Sequence, residues 1–115
     1  MSALPNPELT NPQIKTLGGL QTQQLVIARG EELEVRTEPQ HDVVLFVQQG
    51  HGQLIDKNGE MYRISSGSSV HIPHGVAYGI WNEHLRQDLE LMFVRSVAPV
   101  LPEQDAVDRF SITHP

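Results

Sequence analysis

Cysteine is absent from this 115-residue chain, so disulfides, thiolate metal ligands and a cysteine nucleophile are excluded. Aromatic residues make up only 5% of the sequence, and eight basic residues stand against fourteen acidic ones, for a net charge of −6. A phosphate backbone or an anionic bilayer repels such a chain on average. We therefore expect neither nucleic acid nor a membrane surface as a partner.

Long hydrophobic runs are also absent, and no stretch approaches the roughly 20 apolar residues that span a bilayer. Residues 1–7 have neither the basic start nor the apolar run of a signal peptide. These features predict a cytoplasmic protein. The length fits one domain, and 38% apolar with 19% charged residues is typical of a folded one.

Short apolar runs follow one another closely between residues 20 and 98, separated by turn-forming residues. This texture predicts an all-β domain, either a barrel or a double-sheet jelly roll. Asn58-Gly59 predicts a β-hairpin, because a type I′ turn needs positive φ at both central residues. The predicted strands cover residues 25–28, 33–37, 43–48, 53–55, 61–64, 69–73, 77–82 and 89–97.

The two ends of the chain differ from this β region. Residues 1–19 begin with a proline-rich stretch and are predicted to be an irregular N-terminal segment. Residues 99–115 are predicted to be a C-terminal extension. Pro102, followed by acidic residues, allows a short helix that would reach Phe110.

Residues 67–82 resemble the second sequence motif of the cupin superfamily. That motif reads Gly, five residues, Pro, one residue, Gly, two residues, His, three residues, Asn. Gly67, Pro73, Gly75 and Asn82 occupy the matching positions, and Tyr78 stands where the family has histidine.

The first cupin motif reads Gly, five residues, His-any-His, three or four residues, Glu, six residues, Gly. Gly30 and Gly50 lie at the matching spacing. The ligand positions between them hold Arg36, Glu38 and Val43. The resemblance implies a small single-domain barrel of the cupin 2, RmlC-like type, a double-stranded β-helix.

The resemblance also implies where a site would lie. In metal-binding cupins the four ligand positions converge on a divalent ion inside the barrel. Here they hold Arg36, Glu38, Val43 and Tyr78, and neither a guanidinium nor an alkyl group is a metal ligand. We therefore expect no cofactor. The same residues, with Asn82, are expected to line a pocket in which the guanidinium grips a carboxylate or phosphate of a small anionic molecule.

The residue pattern leaves alternatives open at this site. Leu33 and Val35 alternate with charged residues that include Arg36, as in a strand whose charged face is solvated. Tyr78 can be a general acid or a donor to a ligand, or it can fill space while its hydroxyl bonds to a neighbour such as Glu38.

The six histidines lack the His-any-His or i,i+4 spacing of a ready-made metal site. His41 and His74 are the alternative metal ligands that the sequence leaves open. His41 is adjacent to Asp42, but neighbouring strand residues face opposite sides, so we expect no dyad between them. His71 lies between apolar residues and is predicted to face away from the core.

Strand alternation also predicts an apolar surface. If the residues between them point inward, Val44, Phe46 and Trp81 point outward and form an exposed patch, which monomers avoid. A homodimer is therefore expected.

Several functions remain open from the sequence. The first is a metal-independent small-molecule binding or accessory domain. The second is a small enzyme, such as a sugar isomerase or epimerase using acid–base chemistry. The third is a metal-dependent oxygenase with non-standard histidine ligands, and a regulatory domain is a further alternative.

Overall fold

The computed structural model describes residues 13–17, 19–96 and 109–115, the first range by its backbone. All the strand pairings are antiparallel. The strands are β1 (Gln13–Leu17), β2 (Leu20–Ile27), β3 (Glu32–Arg36), β4 (Val43–Gln49), β5 (His51–Ile55), β6 (Met61–Ser65), β7 (Ser69–Ile72), β8 (Tyr78–Trp81), β9 (Leu89–Ser96) and β10 (Ser111–Thr113).

The strands form two sheets that enclose the core. The larger sheet has the order β1-β2-β9-β4-β7-β10, and the smaller one has the order β3-β8-β5-β6. Chain neighbours such as β2 and β3 lie in different sheets, so the chain crosses repeatedly between the two layers. The all-β jelly roll predicted from the sequence is confirmed.

Alternation along each strand explains why the sheets pack face to face. In β2, Leu25 and Ile27 are fully buried, whereas Val26 between them is 38% exposed. The same period of two in β4 and β9 directs one apolar row of each strand to the interior. The buried hydrophobic residues are Leu25, Ile27, Leu33, Val43, Leu45, Val47, Leu54, Ile64, Val70, Ile72, Val76, Tyr78, Ile80, Leu89, Leu91 and Phe110.

The hairpin predicted at Asn58-Gly59 joins β5 and β6, but its turn differs from the predicted type. The N–H of Gly59 donates to the carbonyl oxygen of Asp56 at 3.0 Å, so Lys57 and Asn58 are the central residues. Gly59 follows them with a φ of 83°. The loop therefore has three residues, because the Asp56 carboxylate accepts the N–H groups of Asn58 and Glu60 at 2.9 Å each and fixes the turn one residue earlier.

Two strands lie in segments that were predicted to be outside the barrel. Gln13–Leu17 pairs with β2, so the prediction of an irregular segment over residues 1–19 is wrong for this strand. β10 pairs with β7, so the larger sheet takes a strand from residues 99–115. Both are edge strands with few apolar residues. The sequence therefore has no apolar run at these positions from which a strand could be predicted. The short helix predicted to end at Phe110 lies mostly outside the described residues, and Arg109 and Phe110 are not helical.

Within the described residues, the structure has no helix that is long and apolar enough to cross a membrane.

Candidate functional site

Charged and polar side chains meet at one end of the barrel, around a cavity of about 40 Å³. Three of these residues lie at strand ends: Arg36 is the last residue of β3, Val43 is the first of β4 and Tyr78 is the first of β8. Antiparallel neighbours bring these strand ends to one side of the barrel. The cavity is lined by Gln21, Gln23, Arg36, Glu38, Val43, Tyr78, Phe93 and Arg95.

A β-bulge in β3 turns Arg36 toward this cavity. Leu33 pairs with Ile80, and the next registered pair is Arg36 with Tyr78. Three steps along β3 therefore match two steps along β8, and the bulge brings both Leu33 and Arg36 to the inner side. Val35 between them is 49% exposed. The sequence left open whether Arg36 faces the interior or a solvated surface. Because of the bulge, its side chain lines the cavity.

Glu38 lies in the loop between β3 and β4 and pairs with Arg95 of β9. The Arg95 Nη1 donates to Glu38 Oε2 at 2.7 Å, and the Arg95 Nε donates to Gln21 Oε1 at 3.1 Å. The Glu38 carbonyl oxygen also accepts the N–H of Gly75 at 2.8 Å, which ties its loop to the one before β8. The side chains of Glu38 and Arg95 are 27% and 38% exposed, so this pair borders solvent at the mouth of the cavity. Its main effect is to hold one guanidinium in place, because pairs this exposed stabilise the fold by about 1 kcal/mol or less.

The Tyr78 ring is buried and packs against Phe93, with ring centroids 6.4 Å apart and a tilt of 40°. Burial raises the pKa of Tyr78 to about 12; the Arg36 guanidinium opposes the shift and the Glu38 carboxylate adds to it. Tyr78 therefore keeps its proton near neutral pH and is a hydrogen-bond donor. Among the described residues its hydroxyl has no hydrogen bond, although the sequence had suggested one to a neighbour such as Glu38.

We expect Tyr78→Phe to change the free energy of unfolding by no more than about 0.5 kcal/mol, because removing a hydroxyl without a protein partner strands no acceptor. Urea unfolding monitored by circular dichroism measures this. Tyr62→Phe is the comparison, since the Tyr62 hydroxyl lies 3.1 Å from carboxylate oxygens of Asp56 and Glu60 and its removal should cost more. A loss above about 2 kcal/mol in Tyr78→Phe would show that the hydroxyl has a protein acceptor after all.

Asn82, the fifth predicted pocket residue, does not line the cavity. It follows the other end of β8 from Tyr78 and is fully buried. Its Nδ2 donates to the carbonyl oxygens of Ile27 at 3.0 Å and Gln87 at 2.8 Å, and its Oδ1 accepts the N–H of His84 at 3.1 Å. The pocket assignment of Asn82 is therefore wrong, because all of these amide contacts are to main-chain groups and none is directed at the cavity.

The histidines around Asp42 are engaged differently from the predicted metal pair. Asp42 Oδ1 accepts both the backbone N–H of His74 at 2.9 Å and its Nδ1 at 3.0 Å, while the Nε2 of His71 lies 3.5 Å from Oδ2. Burial raises the pKa of Asp42, but these hydrogen bonds outweigh it and hold the pKa below its usual value. The side chain of His71 is 51% exposed, as expected. His41 has a buried Nδ1 without a partner among the described residues, and no three acidic or histidine side chains there are placed to hold a metal ion.

A larger cleft, of about 620 Å³, lies outside the barrel between the β5–β6 hairpin and the last strand. Its most polar wall carries Asp56, Glu60 and Tyr62. The Asp56 carboxylate already closes the hairpin turn, and the Tyr62 hydroxyl already bonds to both acids. The two carboxylates and the phenol of this wall are therefore committed to the hairpin and to one another.

No protein-family model and no curated protein sequence matches this chain. Solved structures do match it. An uncharacterized protein with a double-stranded β-helix domain from Klebsiella pneumoniae superposes with a TM-score of 0.67 at 14% identity, over 89% of this chain and 82% of its own. A cupin-2 domain protein from Shewanella frigidimarina gives a TM-score of 0.61 at 16% identity, over 71% and 74%. The KdgF structure from a Halomonas species gives 0.64 at 23% identity, over 79% of each chain. The chain has the fold of the cupin superfamily.

The metal that many cupins bind does not fit the residues found here. Arg36 brings a cation, Val43 has no donor atom, and Tyr78 is a neutral phenol. Glu38 is the remaining donor, and its Oε2 is already bound by Arg95 at 2.7 Å. These four side chains therefore do not make a ligand set for a divalent ion at this position of the cupin barrel.

Four residues of the cavity were not predicted from the sequence. Leu89 and Leu91 of β9 face inward, and continuing the alternation gives Phe93 and Arg95, so this signal was available. Gln21 and Gln23 share the inward parity of Leu25 and Ile27 in the same way. They were missed because the predicted strand began only at residue 25, where the apolar run starts.

Proposed function

We propose that the cupin pocket binds the carboxylate group of a small polar molecule without a metal, and that the protein has a binding or accessory role. The observation that carries this proposal is the Tyr78 hydroxyl, a donor with no acceptor among the described residues, which lines the same cavity as the guanidinium groups of Arg36 and Arg95. A carboxylate is the ligand group that a phenol and two guanidiniums recognise together.

The charges at the cavity favour an anion. Arg36 and Arg95 bring two positive charges and Glu38 brings one negative charge. Cationic groups therefore outnumber acidic groups among the residues that line the cavity, although the chain as a whole has a net charge of −6. This local excess favours an anion over a cation or a neutral molecule.

The size of the cavity limits what enters it. A volume of about 40 Å³ admits a few atoms, enough for a carboxylate group but not for a whole metabolite. The rest of the ligand would lie at the mouth, where the amides of Gln21 and Gln23 can donate and accept hydrogen bonds. This supports a small hydroxylated or otherwise polar carboxylic acid as the ligand class.

The test uses formate and acetate as probes and acetamide as the uncharged analogue, with binding followed by ligand-observed NMR. We expect the two anions to bind. The dissociation constant of acetamide should be at least about tenfold higher, because acetamide loses one charge-assisted hydrogen bond. Arg36→Gln should weaken anion binding by a similar factor. Arg63→Gln, which removes the same charge from an exposed position on β6, is the matched control and should change little.

Equal binding of acetate and acetamide, or equal losses in the two arginine variants, would contradict this proposal. An acid–base enzyme is the alternative function, in which Tyr78 rather than a histidine would be the general acid of the cavity. Metal analysis of the purified protein tests the oxygenase alternative separately. The cytoplasmic location stays a prediction.

A further inference from the structure

Glu38 already places a carboxylate on one of the two guanidiniums at the cavity. The Arg95 Nη1 donates to Glu38 Oε2 at 2.7 Å, at the short end of the range for a charge-assisted hydrogen bond. Both residues line the cavity, as does Arg36. The chain therefore supplies, from its own β3–β4 loop, the chemical group that the proposed ligand would bring to the same guanidinium.

A ligand carboxylate in this cavity would come next to the Glu38 carboxylate. The cavity has a volume of only about 40 Å³, and Glu38 is part of its wall. Two carboxylates that share a small site repel each other, and here they would also divide the Nη1 donor of Arg95 between them. Displacing Glu38 from Arg95 relieves the repulsion and releases a donor for the ligand, so exchange is favoured over joint binding.

The contact between Glu38 and Arg95 is weak enough to be exchanged. The two side chains are 27% and 38% exposed, and ion pairs that border solvent in this way stabilise a protein little. The backbone of Glu38 is held independently of this contact, since its carbonyl oxygen accepts the N–H of Gly75 at 2.8 Å. Rotation of one side chain toward solvent therefore suffices to release the guanidinium.

Arg95 remains directed at the cavity after the exchange, because other contacts also hold it. Its Nε donates to Gln21 Oε1 at 3.1 Å, and this bond does not involve Glu38. Its backbone is paired on both sides, with Gln21 of β2 and Val43 of β4. Glu38 thus helps to hold the guanidinium before a ligand binds, and Gln21 with the sheet pairing holds it once the ligand has taken the place of Glu38.

We propose that Glu38 is a built-in competitor of the ligand, and that its carboxylate is displaced from Arg95 when the ligand carboxylate binds to both guanidiniums. This inference rests on the proposed carboxylate-binding function and states how that site is regulated. The competition sets the affinity for a carboxylate below the value that two uncommitted guanidiniums would give.

Glu38→Gln tests the competition, because it removes the charge and keeps the size of the side chain. The dissociation constant for acetate, measured by ligand-observed NMR, should fall about threefold to fivefold relative to the wild type, which is the gain expected when an exposed ion pair no longer competes. Glu34→Gln is the matched control. It removes the same charge from an exposed position on β3 that does not line the cavity, and it should change the dissociation constant little.

A double-mutant cycle with Arg95→Gln determines whether Glu38 acts through Arg95. In the Arg95→Gln background Glu38 has no guanidinium at that position to occupy. Glu38→Gln should therefore lower the dissociation constant for acetate much less in this background than in the wild type. An equal gain in both backgrounds would indicate a general effect of charge and would contradict the exchange.

Other outcomes separate this inference from the function on which it rests. If the wild type binds acetate and Glu38→Gln binds it equally or more weakly, the competition is wrong and the carboxylate site stands. An equal gain in affinity in Glu34→Gln would also overturn the competition. If neither the wild type nor Glu38→Gln binds acetate, the carboxylate site itself is wrong, and the competition with it.

Discussion

Gly50→Ala is expected to lower the free energy of unfolding by about 3 kcal/mol, because two costs combine there. Gly50 links β4 to β5 with a φ of 94°, which a residue with a Cβ adopts only under strain. A Cβ at this position would also lie 2.7 Å from the carbonyl oxygen of Asp88 and 3.3 Å from the Cα of Leu89. Both contacts are to the main chain, so no side-chain rotation relieves them.

Gly30→Ala is the matched control for this prediction. Gly30 has a φ of 78° and nothing within 4 Å of the added Cβ, so the variant carries the backbone strain without the contact. We expect a loss of about 1 kcal/mol. Urea unfolding of both variants measures the difference. Equal losses would show that the approach of Gly50 to the loop before β9 adds nothing.

Asn82→Ala is expected to cost about 3 kcal/mol of stability, because it removes the amide that satisfies three main-chain groups. The carbonyl oxygens of Ile27 and Gln87 would lose their donor, and the N–H of His84 would lose its acceptor. The Asn82 side chain and its bond to Ile27 are fully buried, so water cannot replace this bond at little cost, while the other two bonds are partly buried. Asn58→Ala, at an exposed turn position, should cost much less.

The pH dependence of Asn82→Asp sharpens this prediction. A carboxylate cannot donate to the carbonyl oxygens of Ile27 and Gln87, and burial between them raises its pKa in the folded state. Part of the lost stability should therefore return as the pH falls, since the protonated acid donates one hydrogen bond. Equal stability of Asn82→Asp and the wild type at neutral pH would show that the amide donors are not needed.

The fold could be predicted from the sequence because its signals are local. Turn residues such as Gly50 and Gly67 adopt positive φ at the ends of strands, and each predicted apolar run became a strand. The edge strands β1 and β10 were missed because a strand paired on one side needs fewer apolar residues. The spacing of the cupin motif also led to Arg36 and Tyr78, which meet at the cavity.

The rest of the site depends on contacts that are distant in sequence. The bulge after Leu33 changes which residues of β3 face inward. No residue type within β3 predicts this bulge. The ion pair between Glu38 and Arg95 joins residues 57 positions apart. Asn82 matches its motif position but serves to hold main-chain groups, because the motif does not state which way the side chain points.

The central claim is that the cavity of the barrel binds a carboxylate. The most direct test follows the arginine side chains by NMR during a titration with acetate. Nitrogen-detected NMR of the Nε–H groups reports each guanidinium separately. We predict that the Arg36 and Arg95 signals shift together and saturate at one dissociation constant, while the signal of Arg63 stays in place. No shift of Arg36 and Arg95, or equal shifts of all the arginines, would contradict a carboxylate site in this barrel.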